Sequence, residues 1–238
     1  YRITDDWMDP EGLTEHLHTE KLVRLRSGAF CLEPVKSAPP VAELPALKRK
    51  AIRFASLNNF AKVTDRVLAT WAEILHRLPD ATLMVVGRGP ENLAQKLAAL
   101  GMDENRVKVM RTRPKDQYLA MHHEMDVLLD TFPYNGLTIS SIAAWMGVPC
   151  VTIEGNCAAA RAGSAIMKRL GLPELVATNE VEYVERAVWV AGQIPWLAKV
   201  RSEMRERCMR SLANTDAYVA ELESAYRSMW ENWVDSNS

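Results

Sequence analysis

Two short stretches, far apart in the chain, combine residue types suited to binding a multiply charged anion. The first is Asn58-Asn59-Phe60-Ala61-Lys62, where Lys62 offers a compact positive charge and Asn59 a polar side chain. The second is Pro133-Tyr134-Asn135-Gly136, a turn that runs into Leu137-Thr138-Ile139-Ser140-Ser141 and a helical pattern. The first amides of a helix have no partner inside it and point outward, and the positive end of the helix dipole adds to their pull on an anion. The backbone around Gly136, Thr138, Ile139 and Ser140, with the Thr138 hydroxyl, is therefore the expected phosphate seat. A lysine and a ring of amides together suit a diphosphate. Taken singly, Lys62 also reads as a solvated surface lysine, and the turn as an ordinary strand-to-helix connection.

Bringing these stretches together is a task for the elements around them. Apolar runs at 51–57, 81–86, 106–110, 125–130 and 148–153 read as buried strands. Helices alternate with them. Thr64 caps one, with Val67, Leu68, Trp71, Ile74, Leu75 and Leu78 at helical spacing. A turn at 87–90 leads to another, with Leu93, Leu97 and Leu100 on one face and Gly101 as its stop. A third spans 115–123, and the fourth starts at Leu137 or Thr138. This rhythm predicts an α/β fold, a doubly wound parallel sheet of Rossmann type covered on both faces. Such sheets bind ligands beyond the carboxyl ends of their strands, where the winding reverses. For strand order 3-2-1-4-5-6 that point lies between the first and fourth strands, so residues 58–62 should face residues 135–140. The loop Arg111-Thr112-Arg113-Pro114-Lys115 should rim the same crevice. Tyr118 would then stack on a base, a contact of about 1–3 kcal/mol, or pack on its own helix.

Beyond the fifth strand, helices are expected over 158–170, 180–191, 195–211 and 216–233, with a short strand at 175–177. The last carries Tyr218, Leu222, Tyr226, Met229, Trp230 and Trp233 along one side, a stripe that predicts core, part of it covering a neighbouring domain. Ahead of the sheet, residues 1–26 show a helical pattern around Leu13, Leu17 and Leu22, with His16 and His18 as surface residues. Residues 33–45 hold four of the 12 prolines and read as a linker. The expected division is 1–47, the end of a preceding half plus this linker, and 48–238, the sheet domain with its terminal helices. An opening at Tyr1, in what reads as mid-domain sequence, suggests a fragment.

Composition narrows the function. Lys+Arg 29 against Asp+Glu 30 leaves a net charge of -1, so no global field draws the chain to nucleic acid or an anionic membrane. No apolar run approaches the roughly 20 residues of a membrane span. Cys31, Cys150, Cys157 and Cys208 show no C-x-x-C spacing, which suits reduced, buried thiols and a cytoplasmic setting. His122-His123-Glu124 lacks metal-ligand spacing, and neither G-x-S-x-G nor a Walker loop occurs. No metal is expected. Gly87-Arg88-Gly89 follows a strand but lacks the third glycine of a dinucleotide fingerprint.

The strings Tyr1-Arg2-Ile3-Thr4-Asp5, Phe54-Ala55-Ser56-Leu57-Asn58-Asn59-Phe60-Ala61-Lys62, Trp71-Ala72-Glu73-Ile74-Leu75, Leu129-Asp130-Thr131-Phe132-Pro133-Tyr134-Asn135-Gly136 and Trp145-Met146-Gly147-Val148-Pro149 resemble the carboxyl-terminal catalytic half of O-GlcNAc transferase and SPINDLY-like GT-B glycosyltransferases. The resemblance covers nearly the whole chain in order and spacing. It implies two Rossmann-like halves, with a nucleotide-sugar donor held mainly by the second. It also implies a protein acceptor, an upstream catalytic half and tetratricopeptide repeats before that half. By the resemblance, Lys62 contacts the donor diphosphate and stabilises the leaving nucleotide, and Asn59 is a polar donor contact. Arg113 and Lys115 match the loop whose backbone meets the base, Tyr118 the position of a base-stacking histidine, and Thr138 a phosphate-binding threonine.

This chain departs from the pattern at Leu137, Ile139 and Ile142, where the family turn is more polar and carries an acid that bonds the ribose. Loss of a charged hydrogen bond there costs about 1.5–3 kcal/mol. Ala158, Ala159 and Ala160 replace a more polar run, although Arg161 remains. The leading expectation is the donor-binding half of an inverting, metal-independent protein O-glycosyltransferase that moves a GlcNAc-like sugar from a nucleoside diphosphate, with UDP the expected nucleotide. It needs no cofactor beyond that donor and is inactive without its upstream half. The alternatives are a degenerate GT-B pseudoenzyme acting as an interaction module, and a transferase that takes a GDP-sugar such as GDP-fucose.

Overall fold

The computed structural model describes residues 1–87, 89, 93–111 and 113–236. Arg88, Pro90 and Thr112 lie outside them, and with them part of the expected turn at 87–90 and of the loop at 111–115. The chain opens with two short strands, β1 (Arg2–Thr4) and β2 (Leu22–Arg24), paired in parallel with Ile3 opposite Val23. Leu22 was expected in a helix. Instead the segment between the strands is turns and one 3₁₀ turn, Glu15–Leu17, with Leu13 and Leu17 exposed. Two buried carboxylates account for this. Asp5 accepts the amides of Trp7, Met8 and Ala29, while Asp9 accepts the Thr4 hydroxyl and pairs with the His18 ring at 3.1 Å. Side chains that bond nearby backbone compete with helix formation. His18 is thus part of this network rather than a free surface residue.

The proline-rich segment runs into a short helix, α1 (Ala46–Arg49). Then come β3 (Arg53–Ser56), α2 (Asp65–Arg77), β4 (Thr82–Val86), α3 (Leu93–Ala99), β5 (Val107–Met110), α4 (Lys115–Met121), β6 (Val127–Leu129), α5 (Thr138–Trp145), β7 (Cys150–Ile153), α6 (Ala162–Arg169), β8 (Val176–Ala177), α7 (Glu180–Ala191), α8 (Ile194–Ser211) and α9 (Thr215–Ser236). Six strands form one parallel sheet in the order β5-β4-β3-β6-β7-β8. Counted from β3 this is 3-2-1-4-5-6, the order expected from the sequence. Thr64 caps α2 as its type predicts, accepting the Val67 amide. Phe54, Trp71, Leu83, Leu128 and Met146, all less than 2% exposed, fill the space between sheet and helices.

Two expectations change. The proline-rich segment is not a loose linker: Arg201 of α8, 1% exposed, donates to the carbonyls of Ala42, Met125 and His122, and Arg205 donates to Pro39 and Trp145. The stripe on α9 is not core, because Tyr226, Trp230 and Trp233 are more than half exposed. Helical periodicity marks an apolar face and is silent on what covers it. All four cysteines are free thiols, with Cys150 and Cys208 buried. Among the described residues no helix is long and apolar enough to cross a membrane.

Replacing Arg201 by Leu removes this donor from three carbonyls, two of them buried and that of Ala42 half-buried. An unfolding titration should show a loss of about 3–5 kcal/mol. Arg201→Lys should recover little of it, since an ammonium group lacks the planar fork that meets three acceptors at once. Near-native stability of Arg201→Leu would refute this account of the strap.

Candidate functional site

The chain crosses from β3 into Leu57 and Asn58, both buried, and then surfaces at Asn59. Asn59 caps a 3₁₀ turn, Phe60–Lys62, by accepting the Ala61 amide at 3.0 Å. Its side-chain oxygen is engaged in shaping the loop, and what faces solvent is the rest of the amide. The turn delivers Lys62 to the other stretch: its Nζ donates to the Asn135 carbonyl at 2.9 Å and lies 4.0 Å from the centre of the Tyr134 ring. Burial pushes the Lys62 ammonium below its ordinary value, and the carboxylate of Asp130 pulls it back up.

Asp130 ends the strand region of β6 and is 1% exposed. One of its oxygens, Oδ1, accepts from the Asn58 side chain at 3.1 Å, the Thr131 amide at 2.9 Å and the Gly136 amide at 2.8 Å. The other, Oδ2, accepts from the Thr152 hydroxyl at 2.9 Å. Burial raises the carboxyl to about 6 against the pull of these donors. Asn135, also buried, fastens the turn to its surroundings: its side chain donates to the Thr131 carbonyl and accepts the Gly163 amide at the start of α6. Neither glycine has room for a side chain. A Cβ on Gly136 would lie 2.8 Å from Asn58 Oδ1, and one on Gly163 2.4 Å from Asp130 Oδ2.

The helix start is laid out differently from the sequence expectation at two positions. Gly136 does not present a free amide, because Asp130 takes it. Ser140 is fully buried with its hydroxyl turned toward Cys150, so neither its side chain nor its amide lies open to solvent. The first rung of α5 runs from the Ser141 amide to the Leu137 carbonyl, which leaves the amides of Thr138, Ile139 and Ser140 ahead of the ladder. No side chain caps them. Thr138 is exposed, while Leu137, Ile139 and Ile142 are half-buried and pack against the core.

In the loop after β5, Arg113 and Lys115 are exposed. Tyr118 is half-buried against the core, its ring edge-on to His122 of the same segment with centroids 5.2 Å apart. Its hydroxyl is buried without a partner among the described residues, and burial pushes it up to about 12. Tyr118 packs on its own helix, the second of the two readings of this residue. Arg161 is engaged too, donating to the carbonyls of Trp7 and Gly155 and to Glu154. Sequence reasoning missed Asn58, Asp130 and Asn135 as site residues. The one available signal was an acid at the end of an apolar strand.

Comparison with known proteins places the chain. The description of glycosyl transferase family 41 matches residues 41–222. The chain belongs to that family. A Petunia hybrida protein named probable UDP-N-acetylglucosamine–peptide N-acetylglucosaminyltransferase SPINDLY is 38% identical over 245 residues, covering all of this chain and 26% of its own length. The similarly named SEC protein of Arabidopsis thaliana is 29% identical over 97% of this chain and 25% of its own. This family 41 chain therefore spans about a quarter of the curated relatives it matches. A mutant O-GlcNAc transferase of Thermobaculum terrenum superimposes with a TM-score of 0.87 at 33% identity, over 99% of this chain and 46% of that one. Staphylococcus aureus TarM, 12% identical, gives 0.67 over 93% of this chain and 43% of its own, a likeness of fold alone. The architecture is the Rossmann-like α/β fold of GT-B glycosyltransferases.

A carboxyl raised from 3.8 to about 6 holds its proton more tightly in the folded chain. Its contribution to stability is complete below about 4 and is lost as pH climbs through 6, a change of up to about 3 kcal/mol at 1.36 kcal/mol per pH unit. Asp130→Asn removes that dependence. Denaturant titrations should show the variant gaining on the wild type between pH 4 and 7, and a constant difference over that window would contradict the ionisation assigned to Asp130.

Proposed function

We propose that this chain is the donor-binding half of a glycosyltransferase that takes a sugar from a nucleoside diphosphate and passes it to a protein Ser or Thr hydroxyl. The observation that carries the reading is the approach of Lys62 Nζ to the Asn135 carbonyl, three residues before the unpaired amides of α5 begin. A diphosphate resting there meets one cation and the first N–H groups of α5, those of Thr138 and Ile139. When the bond from the anomeric carbon to the diphosphate breaks, negative charge gathers on the departing phosphate. Groups already aimed at that place stabilise it without having to reorganise, and here they are protein groups. An acceptor hydroxyl entering from the opposite face of the sugar inverts the anomeric centre. The names of the relatives favour UDP-N-acetylglucosamine as the donor. Turnover in this reading also needs an acceptor-side half, for which relatives matched over 26% of their length have room.

A second reading has its own observation. Leu137, Ile139 and Ile142 turn apolar side chains into the core at the helix start, so this wall offers no charged partner for a ribose. Such a site suits a chain that keeps the fold and serves as an interaction module. A GDP-sugar donor is the third arm of the same test.

Calorimetry with UDP, GDP and their sugars separates the three. Saturable binding of one nucleotide, weakened at least tenfold by Lys62→Ala, is the expected result, corresponding to about 1.4 kcal/mol or more. Preference for GDP would move the donor class, and no binding of either by the folded full chain would leave the interaction module.

A further inference from the structure

The donor reading uses Lys62 and the α5 amides, yet neither is held in place by the other alone. Between them lies one atom. Asp130 Oδ1 takes a donor from each of the two loops, the Asn58 side chain from the loop after β3 and the Gly136 amide from the turn after β6. Among the described residues Asn58 Nδ2 has no second acceptor, and its buried Oδ1 has no partner. The Lys62 ammonium then closes a ring by meeting the Asn135 carbonyl, one residue ahead of the amide that Asp130 holds. Behind the carboxylate the space is closed: Thr152 bonds Oδ2, Gly163 leaves no gap, and the Tyr183 hydroxyl donates to the Asp130 carbonyl.

We propose that Asp130 is the positioning residue of this site, its buried carboxylate clamping the Asn58 loop to the Gly136 turn so that Lys62 and the first amides of α5 face one anion. The inference rests on the donor reading above and adds to it the residue that sets the geometry. Asp130 is 1% exposed and both of its carboxylate oxygens are taken by protein donors, so its role is to act through the loops it holds. Its charge works against the ligand, because a buried negative charge near a diphosphate repels it. Removal of that charge alone would strengthen nucleotide binding. A loss of affinity on truncation therefore reports displaced loops and not lost attraction.

The test is a double-mutant cycle on the full chain, with UDP and GDP as probes in calorimetry and thermal unfolding as the control for folding. Asp130→Ala is expected to weaken binding at least tenfold. The Lys62→Ala/Asp130→Ala double variant should bind about as weakly as Lys62→Ala alone, because the lysine no longer matters once its loop is released. Asp130→Asn, which can keep an oxygen in the Oδ1 place, should return affinity to within about threefold of wild type. If Asp130→Ala does not fold, Asn58→Ala cuts the same clamp from the other side and enters the same cycle with Lys62→Ala. Unchanged or tighter binding in Asp130→Ala, or two losses that multiply, overturns the positioning role while the donor reading stands. Wild-type protein that binds neither nucleotide overturns both.

Discussion

Three N–H groups converge on a single carboxylate oxygen, and the geometry of the site follows from that convergence. Asp130 Oδ1 draws its donors from residues 58, 131 and 136. A buried carboxylate left without such donors is costly, whereas one that is fully bonded fixes the segments around it. At 1% exposure the carboxylate is closed off from water, and that desolvation raises its proton affinity to about 6.

The junction in turn requires the sheet order. β3 and β6 are neighbours, with Phe54 opposite Val127 and Ala55 opposite Leu128, so the loops that leave their carboxyl ends emerge side by side. In a sheet wound in one direction β4 and β5 would lie between them. Reversal of winding between β3 and β6 opens the crevice, and the helix that follows β6 points its amide end into it. Fold and site are here consequences of one topological choice.

Much of this was legible in the residues. Alternation of short apolar runs with helical periodicity led to the sheet and its order, and α7 spans the same residues, Glu180–Ala191, that its pattern marks. The strands β1 and β2 were not legible, because three residues cannot display a period and nothing in the pattern marks Asp5 and Asp9 as the buried carboxylates that organise the segment between them. The exposed face of α9 was misread for a different reason: a stripe of Tyr and Trp looks the same whether it is covered or bare. At the site, Lys62 stands out by charge and spacing, but counting amides at a helix start does not reveal that one of them turns inward to Asp130. Side-chain direction at Ser140 and Tyr118 was equally out of reach, since both depend on which neighbours the tertiary fold supplies.

The strap ahead of the sheet carries a further implication. Arg201 and Arg205 grip it through the main-chain oxygens of Ala42 and Pro39, and the His123 ring meets the oxygen of Pro40. Every amino acid presents the same oxygen there. The gripped segment is accordingly free to drift in composition over evolutionary time without slackening, while the arginines that hold it are not, and tolerance to change along this part of the chain is set by residues more than 150 positions downstream.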